Sequence, residues 1–389
     1  MLKNKKIKII LVGGGTAGHI NPLLAVYAEA IKLQEVKNKE ISSHFVYIGN
    51  SGIFIDKFNE LNIPVRKIVS SRLRRYASWS NLFELPKFVF SFFQSLWYIF
   101  LEKPDLVFSK GGPGSLAPVV AARFLKITVV AHESDAVPSI TTKLSALFSK
   151  KIFLAFEDAR KGLSPQHQKK CVVLGNPLRA SFLEDLPSQH SAKSHLGFNP
   201  EKFLVVVLGG SQGSRRINNL VVESLPKILA AGIQIFHQTG TKLFDEVREA
   251  VSRDFGSLEK IESSGYRATD FFNQNIKEVL VAADIIVSRA GSSIFEFAAL
   301  GKPSILIPLP ESAQNHQLKN ALSYERAGAC VTLTEDKISV PLFTETLEQF
   351  IANPSLLQKM SESAKTFAKP DAARQIARNL LELALNDNN

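Results

Sequence analysis

Glycine recurs in this chain beside groups that can hold an anion or move a proton. The apolar run Ile9–Val12 leads into Gly13-Gly14-Gly15-Thr16-Ala17-Gly18-His19. A strand, a glycine turn and a helix start present backbone N–H groups and a positive helix end to an anionic or polar ligand. A plain tight turn is the competing reading. The spacing also fits the dinucleotide fingerprint, which requires a carboxylate at the end of the second strand for the ribose. Here that strand ends Tyr47-Ile48-Gly49-Asn50-Ser51, which disfavours nicotinamide and flavin chemistry. His19 borders the loop with a side chain whose ordinary pKa lies near neutrality, so it is the candidate base.

A second loop, Ser109-Lys110-Gly111-Gly112-Pro113-Gly114-Ser115, follows Leu106–Phe108. Together with Gly14 and Gly15, the residues Gly111, Gly112 and Ser115 form a floor of donors suited to a diphosphate-bearing acceptor or a hydroxyl-rich sugar. His132-Glu133-Ser134-Asp135 ends another strand, where carboxylates can bind hydroxyls or take a proton. In Gly175-Asn176-Pro177-Leu178-Arg179 the arginine carries forked donors for a phosphate. A third loop, Gly209-Gly210-Ser211-Gln212-Gly213-Ser214, lets Ser211 offer a hydroxyl and an N–H to a diphosphate.

The most informative stretch is Ser288-Arg289-Ala290-Gly291-Ser292-Ser293-Ile294-Phe295-Glu296. A small-residue loop suits phosphates, and a carboxylate one helical turn later suits the paired hydroxyls of a ribose. Gln317, after Asn315-His316, can hydrogen-bond a sugar. These features describe a nucleotide-sugar pocket in the second half. No D-x-D occurs, no spacing defines a metal site, and the two cysteines, Cys171 and Cys330, make no disulfide framework. No metal or cofactor is expected.

The elements that must position these loops are legible. Strands are expected at Ile7–Val12, Phe45–Ile48, Leu106–Phe108, Thr128–Ala131, Ile152–Ala155 and Val172–Leu174. A second series runs Phe203–Leu208, Ile233–His237, Asp284–Val287, Ser304–Ile307 and Cys330–Leu333. Near-continuous apolar strands separated by helices mean parallel sheets buried on both faces. The Ile9–Gly14 pattern restarts at Val205–Gly210, so two Rossmann-like, doubly wound domains facing across a cleft are expected. The expected division is 1–182, 183–353 and a helical tail, 354–389, packing back on the first domain.

The net charge of +11 is divided unevenly. Residues 1–180 hold 26 basic and 12 acidic side chains, and the remainder hold 21 and 24. This excludes a uniformly basic chain and points to a polyanion on one half. Residues 71–101 carry ten of the 35 aromatic residues. Arg72, Arg74 and Arg75 stand beside Trp79, Leu82 and Phe83, a combination suited to an anionic bilayer surface. From Glu84 to Glu102 the polar positions form one narrow stripe, and the wide apolar remainder reads as mostly buried. A core helix with a solvated basic loop is the competing reading. No nucleic-acid module is present, so nucleic acid is not an expected partner. The apolar run Phe88–Leu101 is too short to span a bilayer, and Ile9–Val12 is too short for a signal peptide.

Taken in order, Gly13–His19 with Asn21-Pro22, Gly111–Ser115, His132-Glu133, Gly175–Arg179, Gly209–Gly213, His237–Gly240, Ser288–Glu296 and Gln317–Ala321 resemble the MurG family of peptidoglycan glycosyltransferases. The resemblance implies a GT-B fold and inverting transfer of N-acetylglucosamine from UDP-N-acetylglucosamine to the muramyl 4-hydroxyl of lipid I, giving lipid II. It implies a peripheral enzyme at the cytoplasmic face of the plasma membrane. It places Thr16, Ala17, Gly18 and Asp135 near the donor sugar, and Arg179 and Ser211 near the diphosphate. Ser292, Ser293 and Glu296 would lie at the nucleotide, with Glu296 on the ribose, and Gln317 at the sugar hydroxyls. Two departures stand out: Ala17 where relatives commonly have Gly, and Asp135 where they commonly have Asn. The loop from Gly291 to Glu296 is one residue shorter than in many members. Related GT-B enzymes, a diacylglycerol glucosyltransferase or a nucleotide-sugar 2-epimerase, are the nearest alternatives, and a non-catalytic nucleotide-sugar-binding protein is a rival of another class.

Overall fold

The computed structural model describes residues 5–36, 41–70, 79–210, 212–256, 258–272 and 275–386. It contains two parallel sheets. The first comprises β1 (Lys5–Gly13), β2 (Ile41–Gly49), β3 (Val65–Arg66), β4 (Leu106–Ser109), β5 (Thr128–Glu133), β6 (Lys151–Leu154) and β7 (Cys171–Val173). Their order is β3-β2-β1-β4-β5-β6-β7. The second comprises β8 (Leu204–Leu208), β9 (Gln234–Gln238), β10 (Tyr266–Thr269), β11 (Ile285–Ser288), β12 (Ser304–Leu306) and β13 (Cys330–Thr332). Their order is β10-β9-β8-β11-β12-β13. This is the doubly wound arrangement expected, once per half.

Alternation along the central strands explains the burial on both faces. Ile7, Ile9 and Leu11 of β1 enter one core, while Ile10 and Val12 enter another. Leu204, Val206 and Leu208 of β8 divide from Val205 and Val207 in the same way. Side chains of period two therefore feed a helical layer on each side. The strands β3 and β10 were not expected from sequence. Both are edges with one neighbour each. One has two residues and the other buries only Tyr266, so neither carries an apolar run.

Residues 1–180 with 369–389 form one compact unit, and 181–368 form another. The tail expected over 354–389 is divided between them. The helix Pro354–Phe367 packs on the helices Ile294–Ala299 and Val340–Ala352 of the second unit. The helix Ala372–Asn386 returns to the first unit, against the helix Ala17–Val36 and β1. Its apolar stripe of Ile376, Leu380, Leu383 and Ala384 completes the core that Ile9 and Leu11 begin.

Candidate active site

In the first unit β1 and β2 end level with one another, at Gly13 and Gly49. The buried Tyr47 hydroxyl donates to Gly13 O at 2.8 Å and ties the two loops together. Gly14 N–H donates to Gly111 O at 3.0 Å, which joins the first and second glycine loops. A Cβ on Gly15 would lie 2.7 Å from Asn50 O, so the loop packs too closely for a side chain there. Thr16 O accepts the N–H groups of His19 and Ile20 and starts the helix. Its hydroxyl lies 2.7 Å from His19 Nδ1, so it orients the imidazole rather than capping the helix.

Gly111, Gly112 and Gly114 all have left-handed φ, at +78°, +90° and +81°. At Gly112 the reason is steric. A Cβ there would stand 2.8 Å from both Cε1 and Nε2 of His19. The imidazole therefore rests on bare backbone. Ser115 secures this turn by donating its hydroxyl proton to Gly112 O at 2.8 Å.

Four ionisable groups gather at the ends of β4 and β5. Lys110 is 2% exposed, and its Nζ donates to Ser134 Oγ. Burial pushes its pKa down to about 8, against the pull of Glu133 and Asp135. Glu133 accepts N–H bonds from Ser134 (2.8 Å), Asp135 (3.0 Å) and Ser139 (2.8 Å). Both its oxygens are thus engaged in shaping the turn, while burial and then Asp135 raise its pKa. His132 Nε2 lies 2.9 Å from Gly175 O, and its buried Nδ1 has no protein partner. Burial and then Lys110 hold His132 well below its ordinary value. His19 is pushed down to about 4 by burial first and Lys110 second, with Asp135 opposing.

The second unit carries its own converging loops. Gly213 and Gly240 are packed backbone to backbone, so a side chain at either would overlap the other. Gln238 Nε2 donates to Gly210 O at 3.1 Å, and Asn218 Nδ2 donates to Thr239 O at 3.0 Å. His237 is fully buried between Tyr266 Oη and Asn218 Oδ1, each at 3.1 Å, and burial pushes it down to about 3. The His237–Gly240 segment is therefore a scaffold for the 209–214 loop. Arg289 donates to Ser214 Oγ (2.6 Å) and Ile307 O (3.0 Å) and pairs with Glu335 at 2.5 Å. One guanidinium thus joins four loops. Gln317 Oε1 accepts Leu309 N–H at 2.9 Å, which orients the side chain. The turn before it holds Gln314 and Asn315 in consecutive left-handed conformations, at φ +60° and +53°. Two such non-glycine residues in succession store strain of about 1–3 kcal/mol each.

The chain matches the glycosyltransferase family 28 N-terminal domain over residues 9–154 and the family 28 C-terminal domain over 204–376. It is 34% identical, over 372 residues, to the UDP-N-acetylglucosamine–N-acetylmuramyl-(pentapeptide) pyrophosphoryl-undecaprenol N-acetylglucosamine transferase of Bacillus cytotoxicus. That match covers 95% of this chain and 97% of the relative. The chain belongs to the MurG family of glycosyltransferases. The crystal structure of Acinetobacter baumannii MurG superposes with a TM-score of 0.71 at 21% identity, covering 97% of this chain and 99% of that one. UDP-N-acetylglucosamine 2-epimerase from Neisseria meningitidis gives 0.68 at 17% identity, covering 97% and 100%. Both likenesses report the shared GT-B fold.

Gly14 is buried, whereas Gly15, Thr16 and Ala17 are exposed on the first loop and Gly18 is half-buried. Arg179 is exposed after β7. Ser292, Ser293 and Glu296 are half-buried at the start of the helix Ile294–Ala299, and Glu296 sits in its first turn. Ser211 and the arginines Arg72, Arg74 and Arg75 lie outside the described residues, as do the side chains of Trp79, Leu82 and Phe83. Lys110, Arg289 and Glu335 were given no role from sequence. The available signal was a lysine among glycines and an arginine at a strand end, each on an otherwise small-residue loop.

One expectation is corrected. The helix Trp79–Glu102 buries only part of its apolar surface: Ile99 enters the core that Ile10 and Val12 share, with Phe92 and Leu96 packed against it. Its polar stripe faces inward: Ser91 and Ser95 are fully buried, and Gln94 Oε1 accepts Val69 N–H at 2.9 Å. Glu102 binds Arg66 at 2.8 Å and Lys8 at 3.1 Å. The opposite face exposes Leu85, Val89, Phe90, Phe93, Trp97, Phe100 and Leu101, with Phe93 and Trp97 each 60% accessible. Small serines let the helix approach its neighbour Leu116–Phe124 closely, which periodicity alone does not reveal. No described helix is long and apolar enough to cross a membrane.

Proposed function

We propose that the chain transfers N-acetylglucosamine from UDP-N-acetylglucosamine to the muramyl 4-hydroxyl of undecaprenyl-pyrophosphoryl-MurNAc-pentapeptide, with inversion. The supporting observation is near-complete coverage of a relative named for this transfer. In this reading the hydroxyl oxygen attacks the anomeric carbon, the bond from that carbon to the UDP oxygen breaks, and UDP leaves with the electron pair. His19 Nε2 takes the hydroxyl proton. For that, Nδ1 carries the hydrogen and donates to Thr16 Oγ1, 2.7 Å away. A base held neutral down to about pH 4 stands ready over the whole physiological range.

The second unit takes the donor. Glu296 binds the ribose hydroxyls, Ser292 and Ser293 lie along the nucleotide, and Gln317 donates to the sugar. Ser211 and Arg179 stabilise the departing diphosphate, and Thr16, Ala17, Gly18 and Asp135 approach the sugar. In the first unit, Gly14, Gly15, Gly111, Gly112 and Ser115 form the acceptor floor. The exposed apolar face of the helix Trp79–Glu102, with the preceding arginines, seats the protein peripherally on the anionic cytoplasmic leaflet.

A radiolabelled donor assay with a lipid I analogue tests the reading. Labelled lipid II is expected. Conversion of the donor to its 2-epimer without an acceptor would favour the epimerase reading, and binding without UDP release would favour a non-catalytic one.

A further inference from the structure

We propose that Glu335 is a positioning residue of the donor site, a shared carboxylate that fixes four strand-end loops by pairing with Arg289 and Arg216 at once. The inference rests on the reading that the second unit takes the nucleotide donor. Ser288 of β11 stands level with Leu208 of β8 and with Leu306 of β12, and Leu306 stands level with Thr332 of β13. The chain therefore leaves all four strands at one height, on the rim where a doubly wound sheet takes its ligand.

Each of those loops supplies one member of a chain of charges. Arg289 follows β11, Glu311 follows β12 and Glu335 follows β13, while Arg216 lies in the first turn of the helix Arg215–Ala230, beyond the 209–214 loop. Glu335 Oε1 pairs with Arg289 Nη1 at 2.5 Å, and Glu335 Oε2 pairs with Arg216 Nη1. Arg216 Nη2 goes on to Glu311 Oε1 at 3.3 Å, on the loop that leads to Gln317. The Glu335 side chain is 5% exposed and that of Arg289 14%, so this pair is little screened, whereas Arg216 and Glu311 lie in solvent. Both guanidiniums are turned to carboxylates, so they shape the loops rather than hold the diphosphate. Without the charge of Glu335 the two would face each other uncompensated, one of them nearly buried. The loops that bear Ser214, Arg289 and Gln317 would then lose their common anchor.

The test compares E335Q, R216Q and the double variant with wild type, each checked for folding by circular dichroism. Calorimetry gives UDP affinity, and the transfer assay gives donor KM, acceptor KM and kcat. Arg216 is exposed, so R216Q is expected to fold whatever E335Q does. E335Q should weaken UDP binding by about tenfold and R216Q by about threefold, with donor KM rising in step and acceptor KM unchanged. Because both act through one contact, the double variant should lose about tenfold, not the product of about thirtyfold. Destabilisation alone would lower kcat through the active fraction and leave both KM values in place, and that pattern would overturn the proposal. Multiplied losses in the double variant, tighter UDP binding in E335Q, or wild-type affinity in R216Q would overturn it equally. A wild type that binds no UDP would overturn the donor reading along with it.

Discussion

The imidazole of His19 rests on the Cα of Gly112, with ring atoms 2.8 Å from where a Cβ would stand. This relationship joins the first and second glycine loops into one device. The hydrogen bond between His19 Nδ1 and Thr16 Oγ1 fixes the ring from one edge, and the absent side chain of Gly112 leaves it room.

Replacing Gly112 by Ala should therefore displace the base. The new methyl overlaps the ring, and φ of +90° disfavours any side chain. A displacement near 1 Å is expected to lower turnover by about 100-fold. UDP affinity, measured by calorimetry, should change less than about threefold, because Gly112 and His19 are assigned no contact with that ligand. Equal losses in both measurements would point to general unfolding instead.

Stability should fall as the solution is made acidic, beginning near pH 6.5. His19, His132 and His237 are all held neutral by burial, with His19 at about 4 and His237 at about 3. The unfolded chain binds protons below 6.5 that the native state refuses, so stability is full above 6.5 and declines below it. For the fully buried His237 the loss is about 1.4 kcal/mol per pH unit through that window. Urea unfolding at pH 7, 6 and 5 measures this, and a constant midpoint would refute it.

Arg289 should matter to the donor site without touching chemistry. R289M removes one of the two guanidinium partners of Glu335, Arg216 being the other, and should cost about 1–3 kcal/mol of stability in the second unit. R289K keeps the charge but loses the fork that reaches Ser214 and Ile307. It should fold and bind UDP about tenfold more weakly. Unaltered UDP binding in a folded R289K would remove Arg289 as the strut of these loops.

The outward apolar face of the helix Trp79–Glu102 offers a test that spares the core. F93E and W97E alter side chains that are already exposed, so the melting temperature should stay within about 2 °C. Co-sedimentation with anionic vesicles should drop several-fold, whereas UDP binding should persist. Neutralising Arg72, Arg74 and Arg75 should have the same effect on vesicles alone. Undiminished co-sedimentation in both sets would place the membrane contact elsewhere.

The sequence by itself determined the class of this protein. Apolar runs such as Ile9–Val12 and Val205–Leu208, each closing in glycine, can satisfy period-two burial only as central parallel strands. The ordered motifs from Gly13 to Ala321 were equally legible, because glycine loops at strand ends leave compositional marks. The edge strands β3 and β10 left none, having little to bury. Tertiary structure alone decided which way the helix Trp79–Glu102 turns. Its helical period separates the stripes, but only the close approach permitted by Ser91 and Ser95 selects the inward one. It also decided the return of Ala372–Asn386 to the first unit and the meetings of His19 with Gly112 and of Lys110 with Ser134. The partners in each pair are far apart along the chain, and only the parallel ends of β1, β4 and β5 bring them together.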